Sequence, residues 1–139
     1  MAAPASIAQL SHALGKSPAD LTLICIFCKN ALNDKDKSDF DRKALCIIWK
    51  AGGPYGVCGL CCFLRAYEDC TKHTQCTLEA QGVEALTGRS LGDIIVRCAW
   101  CLGLLTIFEK EAARHRREPL RLVRRCWRST CSGCLSKQI

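Results

Sequence analysis

Between the two halves of the chain, Leu60, Phe63, Leu64, Tyr67 and Thr71 recur at helical spacing with Arg65, Glu68, Asp69 and Lys72 between them. This pattern predicts one amphipathic helix reaching to about Thr77. Upstream, residues 1–20 are Ala/Ser-rich and read as a flexible N-terminal arm with one short helix around Ile7–Leu14, then Ser17-Pro18 as a cap and first-turn signal. Leu21 to Phe27 turns apolar, Asn33 to Lys43 is charged, Ala44 to Trp49 reads as a strand, and Ala51-Gly-Gly-Pro-Tyr55 as a turn. Gln81 to Gly92 holds several turn formers and suggests a connection. Beyond it Glu109 to Arg117 has helix-forming composition and Leu120 to Val123 reads as a strand. Short helices and strands in alternation predict an α+β chain.

Cysteines give the pattern its organisation. Four CxxC pairs, Cys25/Cys28, Cys58/Cys61, Cys98/Cys101 and Cys131/Cys134, form two sets, and 29 residues lie between the pairs of each set. Two thiolates on one tight knuckle can face a single tetrahedral ion, and a second knuckle completes a four-sulfur shell, for which zinc is the favoured occupant. A shift of 73 residues lays the second set on the first and Leu105 on Leu32. The prediction is two small pseudo-symmetric zinc-binding domains, residues 21–61 and 93–139, joined by a linker helix and connection over 62–92, with two structural Zn²⁺ ions.

Size and composition support this reading. A module of roughly 40 residues buries too little to fold without a staple. Thirteen cysteines in 139 residues also suit a secreted disulfide framework. The odd count, the absence of Lys or Arg from the first 15 residues and the lack of any long apolar run favour a reducing compartment instead. Cys46, Cys62, Cys70, Cys76 and Cys126 have no regular spacing and read as small buried apolar side chains. The net charge of +7 is C-terminal: residues 1–96 hold ten Lys/Arg against ten Asp/Glu, and residues 97–139 ten against three. That bias favours an acidic partner.

Catalysis finds little support. The three histidines, His12, His73 and His115, lie in no nucleophile signature, and a four-sulfur zinc shell leaves no open position for substrate water. A RING ligase would interleave its ligand pairs and usually include histidine. The alternative with substance is a zinc-ribbon nucleic-acid binder, motivated by Arg114, Arg116, Arg117, Arg121, Arg124, Arg125 and Arg128. No base-reading helix is evident beside them.

The two CxxC–29–CxxC repeats, 36 residues apart, resemble the papillomavirus early oncoprotein family, sixth of the early open reading frames. Gly53-Pro54-Tyr55, Ile95-Val96-Arg97-Cys98, Glu109-Lys110 and Val123-Arg124 ahead of Trp127 add to the likeness, which runs from about Leu21 to Cys134. The resemblance implies a non-enzymatic adaptor, in host nucleus and host cytoplasm, that holds an acidic LxxLL helix in a cleft between its zinc domains. By position, Ile26, Phe27, Leu45, Ile48 and Val57 would form the apolar floor, with Cys62 and Arg65 from the linker helix, while Arg97 and Arg124 meet acidic flanking residues. Taken without the resemblance, these apolar residues are ordinary core. Relatives divide between a HECT-type ubiquitin ligase and Mastermind-like coactivators of Notch transcription, and the Val-Arg-Cys and Leu-Val-Arg pattern leans toward the latter. Three departures stand out: Cys126 where many relatives place an arginine before the Trp, Arg42 where cancer-associated relatives carry an aromatic, and a Ser136-Lys-Gln-Ile139 end without the Ser or Thr of a PDZ ligand. No PDZ partner and no membrane association are expected.

Overall fold

Ser6 accepts a hydrogen bond from Gln9 N, and Gly15 closes the following turn at φ 65°, so the first element is a capped helix, α1 (Ile7–Leu14). The structure is a computed structural model in which residues 3–50 and 52–136 are described. It divides into two compact units, Met1–Cys62 and Phe63–Ile139. In the first, α1 is followed by a 3-10 turn at Pro18–Asp20, β1 (Ile24–Cys25), α2 (Asp34–Arg42), β2 (Ile48–Lys50), β3 (Gly53–Gly56) and the start of α3 (Gly59–His73). The sheet order is β1-β3-β2, with β1 parallel and β2 antiparallel to β3.

The flexible arm expected over residues 1–20 is corrected by this packing. Ile7 and Leu10 are buried with Leu21, Leu23, Leu32, Phe40 and Ile47, and the Asp41 carboxylate accepts from Ile7 N and Ala8 N at 2.8 and 2.9 Å. An i, i+3 apolar pair outweighs the Ala/Ser composition around it, and Asp41 supplies the anion that a helix N-terminus favours. Two further boundaries shift. Ala44 takes φ 55° just beyond α2, so the predicted strand begins only at Ile48. α3 ends at His73, short of Thr77.

The second unit continues with β4 (Thr74–Leu78), α4 (Ala80–Thr87), a 3-10 turn at Leu91–Asp93, β5 (Val96–Cys98), α5 (Ile107–His115), β6 (Leu120–Val123), β7 (Cys126–Ser129) and α6 (Ser132–Ser136). Its sheet runs β4-β6-β7-β5, parallel only between β5 and β7. The connection expected over 62–92 is structural: β4 pairs with β6, and Ala80 and Val83 of α4 enter the core with Leu91, Val96, Leu105, Leu120 and Trp127.

The duplication extends through the backbone. Positions 73 apart carry α1 and α4, Gly15 and Gly88 in left-handed caps, and Ser17–Asp20 and Ser90–Asp93 hydrogen bonds across the 3-10 turns. Asn33 with Asp36 and Thr106 with Glu109 form capping boxes, and the same carboxylates receive Gly59 N and Ser132 N at the second knuckle. Lys37 donates its ammonium to the carbonyls of Pro18 and Leu21, and Lys110 to those of Leu91 and Ile94. Each buried lysine thereby ties a helix to the 3-10 turn that it packs on, and its charge is solvated by carbonyls.

Candidate functional site

In both units the first knuckle follows a strand and the second stands at a helix start, where the capping-box carboxylate holds the backbone. Sγ atoms of Cys25, Cys28, Cys58 and Cys61 lie within 4.8 Å of one another, as do those of Cys98, Cys101, Cys131 and Cys134. Cys28–Cys58 and Cys101–Cys131 are each separated by 3.8 Å. A tetrahedral ion with Zn–S bonds of about 2.3 Å places its sulfurs about 3.8 Å apart, so both tetrads are positioned to bind zinc.

The electrostatics point the same way. Burial pushes the Cys25 thiol up, yet backbone N–H groups of Cys28, Cys58 and Phe27 outweigh it and bring the thiol down to about 6. A hydrogen bond from Cys101, opposed by burial and helped by N–H groups of Cys131, Cys101 and Trp100, brings Cys98 to about 4. Burial first, then neighbouring sulfur, raises Cys61, and Cys134 goes to about 12 by burial and the charge of Cys98. Each tetrad is thus ready to hold one thiolate and resists the next. A divalent cation removes that conflict by neutralising all four.

Strand register sorts the residues beside the centres. In the first unit Leu23, Cys25 and Ile47 point into the core, while Ile24, Ile48 and Tyr55, which are register partners, occupy the opposite face. Ile26 extends that row by donating to Gly56 O, and Phe27 beside it is 45 % exposed. Leu45 and Val57 pack against the edge of the core, and Cys62 is buried. In the second unit the same face is covered by α3: Cys70 Sγ donates to Ala99 O, the Tyr67 and Trp100 rings meet at 6.2 Å, and Cys70 packs with Ala99 and Val123.

The family model Early Protein (E6) matches residues 25–134. The chain belongs to the papillomavirus E6 family. Protein E6 of human papillomavirus type 8 is 36% identical over 131 residues, covering 94% of this chain and 84% of that one. Protein E6 of human papillomavirus 25 is 37% identical over 132 residues (94% and 81%), and that of human papillomavirus 65 is 32% identical over 135 (97% and 96%). Among solved structures, the C-terminal zinc-binding domain of the HPV51 oncoprotein E6 overlaps 48% of this chain and 88% of its own at TM-score 0.44 and 24% identity.

For an E6 family member, the arginines expected to meet a peptide have instructive surroundings. Arg97 is half-buried and donates to Leu102 O at 2.8 Å on the knuckle. Arg124 donates to Asp69 on α3 at 3.1 Å and holds φ 48°, followed by Arg125 at φ 65° in a two-residue β6–β7 hairpin. Consecutive left-handed residues usually call for Asn-Gly, so the arginines there carry backbone strain. Arg65 faces Glu68 at 3.8 Å. Much of the basic run is engaged internally: Arg114 with Glu84 and Glu111, Arg116 with Glu118, Arg124 and Arg128 with Asp69.

Of the five remaining cysteines, Cys62 and Cys70 are buried as expected, Cys126 is half-buried, and Cys46 and Cys76 are exposed, on a loop and a strand with no core face to fill. One pairing escaped sequence reasoning, although both of its residues were noted there as charges. Asp69 sits on α3 between two arginines, and Arg128 lies 6 % exposed in β7, neighbours in space that no sequence interval announces. Lys137 to Ile139, on which the PDZ expectation falls, lie outside the described residues. No helix among the described residues is long and apolar enough to cross a membrane.

Proposed function

We propose that this E6 family member is an adaptor that captures an acidic LxxLL helix of a host protein on the apolar sheet face of its first module, holding it without catalytic turnover. The supporting observation is the repeat itself. The second module's sheet face takes a helix, the chain's own α3, and the corresponding first-module positions Ile26, Phe27, Leu45, Ile48 and Val57 are apolar throughout. Helix-in-groove recognition needs such a surface for the leucines and cations for the flanking acids, a role assigned to Arg65, Arg97 and Arg124. A Mastermind-like coactivator is the favoured partner and a HECT-type ubiquitin ligase the next, in host nucleus and cytoplasm.

Binding of the two LxxLL peptides to zinc-loaded protein tests this reading. Ile48→Glu and Val57→Glu should each weaken the Mastermind peptide by about 30-fold or more, the scale of an interface hot spot. Zinc content and thermal unfolding establish that the variants are folded. Unchanged affinity in folded variants, or exclusive preference for the ligase peptide, contradicts the corresponding part. A steep loss of binding with salt would instead favour phosphate contacts.

A further inference from the structure

The face of the second module is chemically unlike its counterpart. Residues Ala99, Trp100, Glu118, Pro119, Arg121, Arg128, Ser129 and Thr130 line a cavity of ≈ 100 Å³, and they are the repeat equivalents of Ile26, Phe27, Leu45, Cys46, Ile48, Tyr55, Gly56 and Val57. Arg128 and Arg121 stand abreast in one row across β7 and β6. Like charges placed directly opposite in a sheet repel, so this row is unfavourable unless negative charge lies among them. The nearby carboxylates are already divided: Asp69 between Arg124 and Arg128, the latter only at 3.5 Å, and Glu118 on Arg116.

Four polar atoms around the cavity are shut off from solvent and have no hydrogen-bond partner among the described residues: Arg128 Nε and Nη1, Trp100 Nε1 and Ser129 Oγ. Three are obligate donors and the fourth can donate. Buried donors are nearly always paired, and a guanidinium taken out of water is the costliest kind to leave unpaired. These donors belong to three side chains that line one cavity, a set that suits an acceptor with oxygens in several directions, and the volume admits one such group.

We infer that this cavity is an oxyanion site that takes a single phosphate group, either free phosphate or the phosphoryl group of a modified side chain. Arg128 grips it from β7 and Trp100 from the knuckle turn, Arg121 closes over it from the adjacent strand, and the first module has no equivalent because Tyr55, Phe27 and Ile48 replace these donors. The site is independent of the LxxLL reading.

The test is a ¹⁵N NMR titration of the full zinc-loaded chain with inorganic phosphate at constant ionic strength, following the indole N–H signals and the Arg128 Nε–H. Saturable shifts at Trp100 and Arg128, with the Trp49 indole unmoved, are the expected result. Arg121→Gln, on the exposed rim, should weaken binding about five-fold or more, in line with loss of a charge-assisted pair. Trp100→Phe keeps the ring, removes the donor and should weaken binding as read at Arg128. A phosphoserine peptide that saturates more tightly than phosphate identifies a modified side chain as the source, and equal or weaker binding identifies the free anion. Non-saturating shifts spread over all basic residues, no shifts at all, equal saturation by acetate, or an Arg121→Gln variant with unchanged affinity overturn the assignment.

Discussion

Lys37 and Lys110, the two capping boxes and the four knuckles hold both modules by the same bonds at positions 73 apart, whereas the sheet faces beside them share almost no chemistry. The first face carries Ile26, Ile48 and Tyr55; the second carries Arg121, Arg128 and Ala99, the last packed against Cys70 of α3. The core adjusts to match. A Cβ on Gly56 would come within 3.0 Å of Leu23 and Leu32, while its counterpart Ser129 is accommodated where Val96 replaces Leu23. Duplication kept what the zinc modules need to fold and released the faces: the second packs against the chain's own α3, and the first is the one proposed to accept a helix from outside. Scaffold and surface chemistry are therefore separable in this protein.

The separation can be attacked through the core first. Phe40→Ala should destabilise the first module by about 3–5 kcal/mol, and Leu10→Ala by about 2–5 kcal/mol, in urea unfolding of zinc-loaded protein. The position equivalent to Phe40 is Ala113, already small and buried, where Ala113→Phe should cost about 1–3 kcal/mol by overpacking. A negligible effect of Leu10→Ala would return residues 1–20 to the status of a loose arm. Next in size, Lys37→Met and Lys110→Met each remove charged hydrogen bonds to buried carbonyls and should cost about 1.5–3 kcal/mol. Equal losses would support a shared scaffold, and a large effect at one site alone would break the equivalence.

Caps give the smallest effect. Asp36→Ala and Glu109→Ala should each cost about 1 kcal/mol. Burial opposes ionisation of Glu109, but the N–H groups of Thr106 and Ser132 and the Ser132 hydroxyl outweigh it and hold its carboxyl below the ordinary glutamate range. A depressed folded-state value means that the stabilisation is complete above the ordinary glutamate range and is lost as pH falls below about 4.5 through the folded-state value. Glu109→Gln should therefore be less stable than the parent at neutral pH and converge on it under acid conditions. Divergence on acidification would contradict the cap.

Much of the scaffold was legible because it is local. The CxxC spacing, the α1 span and the Leu120–Val123 strand are written within a few residues of where they act. What escaped depended on partners far along the chain. Residues 1–20 looked loose because Asp41 and the pocket for Leu10 are unseen in their composition, and Gln81–Gly92 looked like a connection because Gly82 and Gly88 masked a helix whose buried face is only Ala80 and Val83. Arg97 and Arg124 were legible as cations, but their bonds to Leu102 O and Asp69 were not. The oxyanion cavity was invisible for the same reason, since Trp100, Arg121 and Arg128 converge only once β5, β6 and β7 pair.

The claim that the two faces have parted roles is tested most directly by hydrogen exchange on the full zinc-loaded chain with and without an acidic LxxLL peptide. Slowed exchange is predicted at the backbone amides of Ile26, Phe27, Ile48 and Val57, with Ala99 to Cys101 unchanged. Slowing confined to the basic segment from Arg114 to Arg128, with the first-module face untouched, would contradict it.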